Sequence, residues 1–177
     1  MKPKSFCAIL SFLLIYLGIQ SFPCYAEGDN DPSRLFKKQG IEYLRAEKYE
    51  LAIHAYEKAV QIDSKSTASL FNLAIAYYGI RNITGAVHAL EKLIEIEPND
   101  VEAHYNLACL KLYGQDFKNA KVHFEKAREC CNKNPEFKPL IDEGLEFLDH
   151  LQKNEPATQD LVSFFLAQGL PSIVVGG

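Results

Sequence analysis

Small residues return along this chain at a fixed interval of 34 residues, at Gly40, Ala74 and Ala108 and again at Ala52, Ala86 and Ala120. Large residues keep the same step: Phe36 with Leu70, Tyr43 with Tyr77, Tyr49 with Ile83 and Phe117, Tyr56 with Leu90 and Phe124. A period of this length marks stacked copies of one supersecondary unit, none of which can bury its apolar face alone. Within the first copy Ala52, Tyr56, Ala59 and Val60 fall on one face at helical spacing. Short breaks at Glu47-Lys48, Arg81-Asn82 and Gly114-Gln115 cut each copy into two antiparallel helices, and Pro98 stands where a second helix must end. Asp31-Pro32 supplies an N-cap and a first-turn proline for the first helix, and Asn82 and Asp116 are placed to cap later ones. The copies run over 33–66, 67–100 and 101–134.

With these residues in register the chain resembles the tetratricopeptide repeat family. That family places a small residue at the eighth, twentieth and twenty-seventh positions, where its two helices cross closely. Gly40, Ala52, Ala59, Ala74, Ala86, Ala108, Ala120 and Ala127 fit, and Leu93 alone departs. Gln39, His104 and Lys111 depart elsewhere, where large apolar residues are usual. The resemblance implies an all-α fold, a right-handed α-solenoid of three helical hairpins plus a C-terminal capping helix. Residues 139–153 suit the cap, because Leu140, Ile141, Gly144, Leu145, Leu148 and Leu151 form a stripe opposite Asp142, Glu143, Glu146 and Asp149.

Both ends differ in composition from the repeats. Lys2 and Lys4 precede an uncharged apolar run, Phe6 to Ile19, then Pro23 and Cys24-Tyr25-Ala26. This is the pattern of a signal peptide over 1–26 cut after Ala26, with 27–32 as linker. An uncleaved N-terminal anchor is the alternative. Ser21-Phe22-Pro23 does not make a lipobox for Cys24. The expected location is therefore outside the cytoplasm: periplasmic or secreted in a bacterium, the secretory pathway in a eukaryote. Pro156 separates the cap from an apolar tail, 157–177, with Leu161, Val162, Phe164, Phe165, Leu166 and Leu170. A short helix is expected there from about Thr158 to Gln168, ended by Gly169. The cap helix, the protein's own groove, and a partner or membrane compete to cover it.

Without residues 1–26 the chain carries 17 Lys+Arg against 23 Asp+Glu, a net charge of −6. A mildly acidic domain lacks the electrostatic footprint of a nucleic-acid binder. His54, His88 and His123 recur in the second helices, but equivalent places in stacked hairpins are about a helix diameter of 10 Å apart, too far to share an ion. Cys109, Cys130 and Cys131 form no CxxC. Cys130 is expected as a small core residue, Cys131 as an exposed thiol, and Cys109 in the groove as a redox or modification candidate. Asn82-Ile83-Thr84 is a glycosylation acceptor pattern if the source is eukaryotic. No nucleophile, carboxylate pair or phosphate loop stands in a motif context. No enzyme activity, cofactor or metal is expected.

The resemblance also implies where a partner binds. First helices of such repeats line a concave groove for extended or helical peptide segments. Its places here are Lys37, Ile41, Phe71, Asn72, Ile75, Tyr78, Tyr105, Asn106 and Tyr113, with Arg34, Lys38, Arg45, Glu102 and Cys109 beside them. Asn72 and Asn106 match the asparagine with which family members hold a ligand's backbone, and a side-chain amide both donates and accepts. Cytosolic co-chaperones of the family clamp a C-terminal carboxylate with two lysines, two asparagines and an arginine. Lys37 and Asn72 match that set, but Ile41, Glu102 and Asn106 stand where asparagine, lysine and arginine are needed. The expected function is an exported adaptor, scaffold or chaperone-like factor that binds a protein or peptide. The alternative is an assembly subunit using its convex face and apolar tail for oligomerisation or membrane contact.

Overall fold

Every hairpin turns on one residue held in the left-handed backbone region: Glu47 at φ 56°, Arg81 at 60° and Gln115 at 60°. Each turn closes with the same two backbone bonds. Lys48, Asn82 and Asp116 donate to the carbonyls of Tyr43, Tyr77 and Lys111 at 2.9, 2.9 and 2.8 Å, and the left-handed residue itself donates to Leu44, Tyr78 or Leu112. This paired bonding satisfies carbonyls that a helix end would otherwise leave bare. In the third turn the glycine does not take the strained place. Gly114 keeps φ at −77° and Gln115 is left-handed, a conformation costing an L-residue about 1–2 kcal/mol.

The structure, a computed structural model, describes residues 32–152. The segment 1–26, the Asp31 cap and the tail 157–177 lie outside them. Hairpins are formed by α1 (Pro32–Arg45) with α2 (Tyr49–Ile62), α3 (Thr67–Gly79) with α4 (Ile83–Ile96), and α5 (Val101–Tyr113) with α6 (Phe117–Cys130). Two 3-10 turns, Cys131–Lys133 and Pro135–Phe137, lead into the capping helix α7 (Lys138–Gln152). Asn82 caps α4 by accepting from Gly85 N–H at 3.0 Å, and Asp116 caps α6 by accepting from Asn119 N–H at 3.3 Å. Ser66 and Asp100 do the same for α3 and α5.

The recurring small residues sit where the helices touch. Ala52, Ala59, Ala86, Ala108, Ala120 and Ala127 are all fully buried. A Cβ on Gly40 would stand 2.6 Å from the Tyr56 ring, and one on Gly144 2.6 Å from the Phe124 ring. Helix α5 is consumed on two sides. Ala103, Leu107 and Leu110 belong to the core shared with the first two hairpins, while Val101, Tyr105, Ala108 and Leu112 belong to the core made with α6 and α7. On α7 the expected stripe faces inward, and Phe147, which that stripe omits, is buried as well.

Three expectations need correction or extension. Cys131 is buried and Cys130 half-buried, the reverse of the sequence reading. Cys130 occupies the place of Ile62 and Ile96, both exposed, whereas the 3-10 turn beginning at Cys131 swings that thiol into the α6–α7 core. His104, noted only as a departure from pattern, is the partner of His123. Its Nε2–H donates to the Pro98 carbonyl at 3.0 Å, which leaves Nδ1 bare to accept from His123 Nδ1–H at 3.1 Å. The two rings stack with centroids 5.4 Å apart. They tie the end of the second hairpin to both helices of the third.

Burial, then the nearby His104 and Lys111, hold the His123 pKa below its ordinary value against the opposing pull of Glu91 and Asp116. Falling pH therefore protonates the unfolded chain first, and stability drops as pH passes below about 6.5. Thermal melts from pH 7.5 to 5 should show this drop, and His123→Gln should remove that part of it; an unchanged slope in the variant contradicts the assignment. Packing gives a second contrast. Ala86→Leu should lose about 1–3 kcal/mol in chemical denaturation by overpacking the helix crossing. Tyr56→Phe should melt no lower than wild type, because the Tyr56 hydroxyl is buried without a hydrogen-bond partner among the described residues.

Candidate functional site: the face of the first helices

The 34-residue period sets the side chains of α1, α3 and α5 in rows. Lys37, Phe71 and Tyr105 form one, Lys38, Asn72 and Asn106 the next, and Ile41, Ile75 and Cys109 a third. Exposure falls toward the C-terminal end along the first two rows, while in the third Ile75 is buried between a half-buried Ile41 and a half-buried Cys109. Lys38 is exposed, Asn72 half-buried and Asn106 only 2% exposed. Lys37 and Phe71 are half-buried and Tyr105 is buried.

At the first hairpin the cationic end is partly engaged. Lys37 Nζ lies 3.0 Å from Asp63 at the end of α2, so its charge is shared with the protein's own carboxylate. Ile41 is half-buried beside it. Helix α3 offers the clearest surface. Leu70, Leu73, Ala74 and Ala76 are buried, leaving a stripe in which Phe71, Asn72 and Tyr78 are half-exposed around a nearly buried Ile75.

The third hairpin departs from the sequence expectation. Tyr105 is not presented as a platform. Its ring makes edge contacts with Phe124 and Phe137, at centroid distances of 5.8 and 5.7 Å, and so seals α5 to α6 and the turn before α7. Asn106 is buried and its Oδ1 has no hydrogen-bond partner among the described residues. Burial pushes the Cys109 thiol up to about 12, with the Tyr105 hydroxyl offsetting part of the effect. Such a thiol stays protonated and poorly nucleophilic at neutral pH, against a redox role. Burial, with Asp100 and Glu136 nearby, likewise raises the Glu102 pKa. Tyr113, at the end of α5, is 44% exposed.

His54 and His88 are exposed and His123 is held by His104, so the second-helix histidines do not converge. Among the described residues no three His, Cys, Asp or Glu side chains are placed to hold a metal ion. No helix among them is long and apolar enough to cross a membrane.

Two family models, each described as tetratricopeptide repeat, match residues 43–110 and 101–129. No curated protein matches the chain. Solved structures of similar fold include the Yersinia enterocolitica type III secretion chaperone SycD in complex with a peptide of the translocator YopD. It is 18% identical, with a TM-score of 0.65, over 73% of this chain and 100% of that one. The TPR2B domain of yeast Sti1, in a complex with pHsp70, is 19% identical with a TM-score of 0.61, over 67% of this chain and 97% of the other. The Sgt2 TPR domain from Aspergillus fumigatus is 24% identical with a TM-score of 0.60, over 68% and 79%. At these identities the likeness speaks to fold. Residues 43–129 thus match tetratricopeptide repeat models, and the chain shares the fold of these tetratricopeptide structures.

Proposed function

We propose that the chain is an exported, non-enzymatic protein-binding module that takes a partner peptide or helix along its first helices, as an adaptor, scaffold or chaperone-like factor. The observation carrying this reading is the α3 stripe. Phe71, Asn72 and Tyr78 remain half-exposed beside the buried Leu70, Leu73, Ala74, Ile75 and Ala76. Aromatic surface with an adjacent amide suits a peptide, since the rings bury side chains while the amide pairs with backbone groups. Similar structures fit this role: SycD is in complex with a translocator peptide, and a TPR of Spaghetti is bound to an HSP90 peptide. Export rests on the basic and apolar pattern of residues 1–26.

The partner's chemistry is narrowed at both ends of the rows. Lys37 is paired with Asp63, and Glu102 stands with Asp100 and Glu136 about it. Neither arrangement favours the C-terminal carboxylate that a lysine-asparagine clamp would hold. An internal segment with apolar side chains fits better. Asn106 is too buried to be an exposed contact, so the test centres on α3.

Affinity capture from the native host with wild-type protein and with Asn72→Ala and Tyr78→Ala variants tests this reading. Losing one hydrogen-bonding side chain at a desolvated contact costs about 1–3 kcal/mol, so Asn72→Ala should weaken the captured partner roughly tenfold with an unchanged melting temperature. Equal capture by wild type and both variants would place binding elsewhere.

A further inference from the structure

The outer face where α6 meets α7 holds an open trough of about 540 Å³, lined by Phe117, Val122, Leu148 and Leu151, with Lys118, Lys121 and Glu125 at its rim. We propose that this trough seats the chain's own segment 158–168, which docks there as the second helix of a fourth hairpin.

The earlier hairpins show how the equivalent surface lies when a full hairpin follows. Tyr49 and Ile83, two periods and one period before Phe117, are partly buried and packed on the core, and Tyr49 lies so close to Gly79 at the end of α3 that a Cβ there would meet its ring. Each has a complete hairpin after it. Phe117 is followed by α7 alone and is 42% exposed. Val122 extends this apolar surface at the place where His54 and His88 stand in the earlier hairpins, and it is 53% exposed.

Helix α7 already sits as the first helix of a fourth unit. Gly144 comes two periods after the buried Ala76, is buried itself, and admits the Phe124 ring of the preceding helix. Its last described turn supplies Leu148 and Leu151 to the trough wall. The chain therefore leaves the described residues at the edge of the surface it would cover. The intervening residues 153–157 span at most about 18 Å when extended, enough for a turn back along α7, and Pro156 prevents α7 from simply continuing.

Chemistry matches on both sides. Segment 158–168 lies outside the described residues, and its sequence puts Leu161, Val162 and Phe165 on one helical face with Asp160 its sole charge. Lys121 is already held by Asp149 at 2.7 Å. Lys118 has no carboxylate partner among the described residues, and it stands at the rim to meet Asp160. A second copy of the chain or an outside protein would be competing occupants of the same apolar floor.

The test uses the full chain with Val122→Glu, Phe165→Glu, both together, and the complementary pair Val122→Glu with Phe165→Lys. Val122 is exposed, so its substitution leaves the described core intact. Docking of the chain's own segment predicts that each single change lowers the melting temperature by roughly 3–8 °C. It also predicts that the two glutamates together cost less than their sum, that the Glu–Lys pair recovers part of the loss, and that light scattering reports a monomer throughout. Additive or absent effects would overturn the proposal. Coupling that appears only with concentration-dependent dimers would assign the trough to a second copy and overturn it equally.

Discussion

The close crossing of the two helices in each hairpin is the contact on which everything else depends. At Gly40 the Tyr56 ring occupies the space where a side chain would begin, Gly144 of α7 admits the Phe124 ring of α6 in the same way, and the methyl groups of Ala52, Ala86, Ala108 and Ala120 are fully buried. A crossing this tight fixes the angle between the helices. Repeated at one interval, it fixes how one hairpin stacks on the next. The left-handed residues Glu47, Arg81 and Gln115 serve the same end, since the tight turn they allow delivers the second helix in register with the small residues of the first.

Stacking has an uneven consequence along the row of first helices. Helix α1 has charged residues on its surface, α3 has a half-exposed aromatic stripe, and α5 is almost wholly consumed by packing. The surface available to a partner is therefore graded. It is polar at one end, aromatic in the middle and closed at the other, where Tyr105 and Phe137 meet. Glu102 at the closed end, with Asp100 and Glu136 about it, disfavours an additional carboxylate, which supports the proposal of an internal peptide segment over an acidic C-terminus.

Most of the fold could be read from the chain because its determinants are local and periodic. Small residues at 34-residue spacing, caps at Asn82 and Asp116, and the apolar stripe of α7 each act within one hairpin. The site was less legible for a reason that can be named. Burial of Tyr105 and Asn106 depends on how tightly α5 is enclosed, and part of that enclosure comes from Phe137 in an irregular turn outside the repeat pattern. The exchange of roles between Cys130 and Cys131 has the same origin in the 3-10 turn that ends α6. The His104–His123 pair was hidden because each histidine was read against its equivalents in other repeats and not against its neighbour within the hairpin.

The central functional claim, that a partner lies along the first helices and chiefly on α3, is most directly tested by hydrogen–deuterium exchange of the protein alone and with its captured partner. Slowed exchange concentrated in α3 and the facing part of α1 is the result this account predicts. Protection confined to α2, α4 and α6, with α3 unchanged, would contradict it.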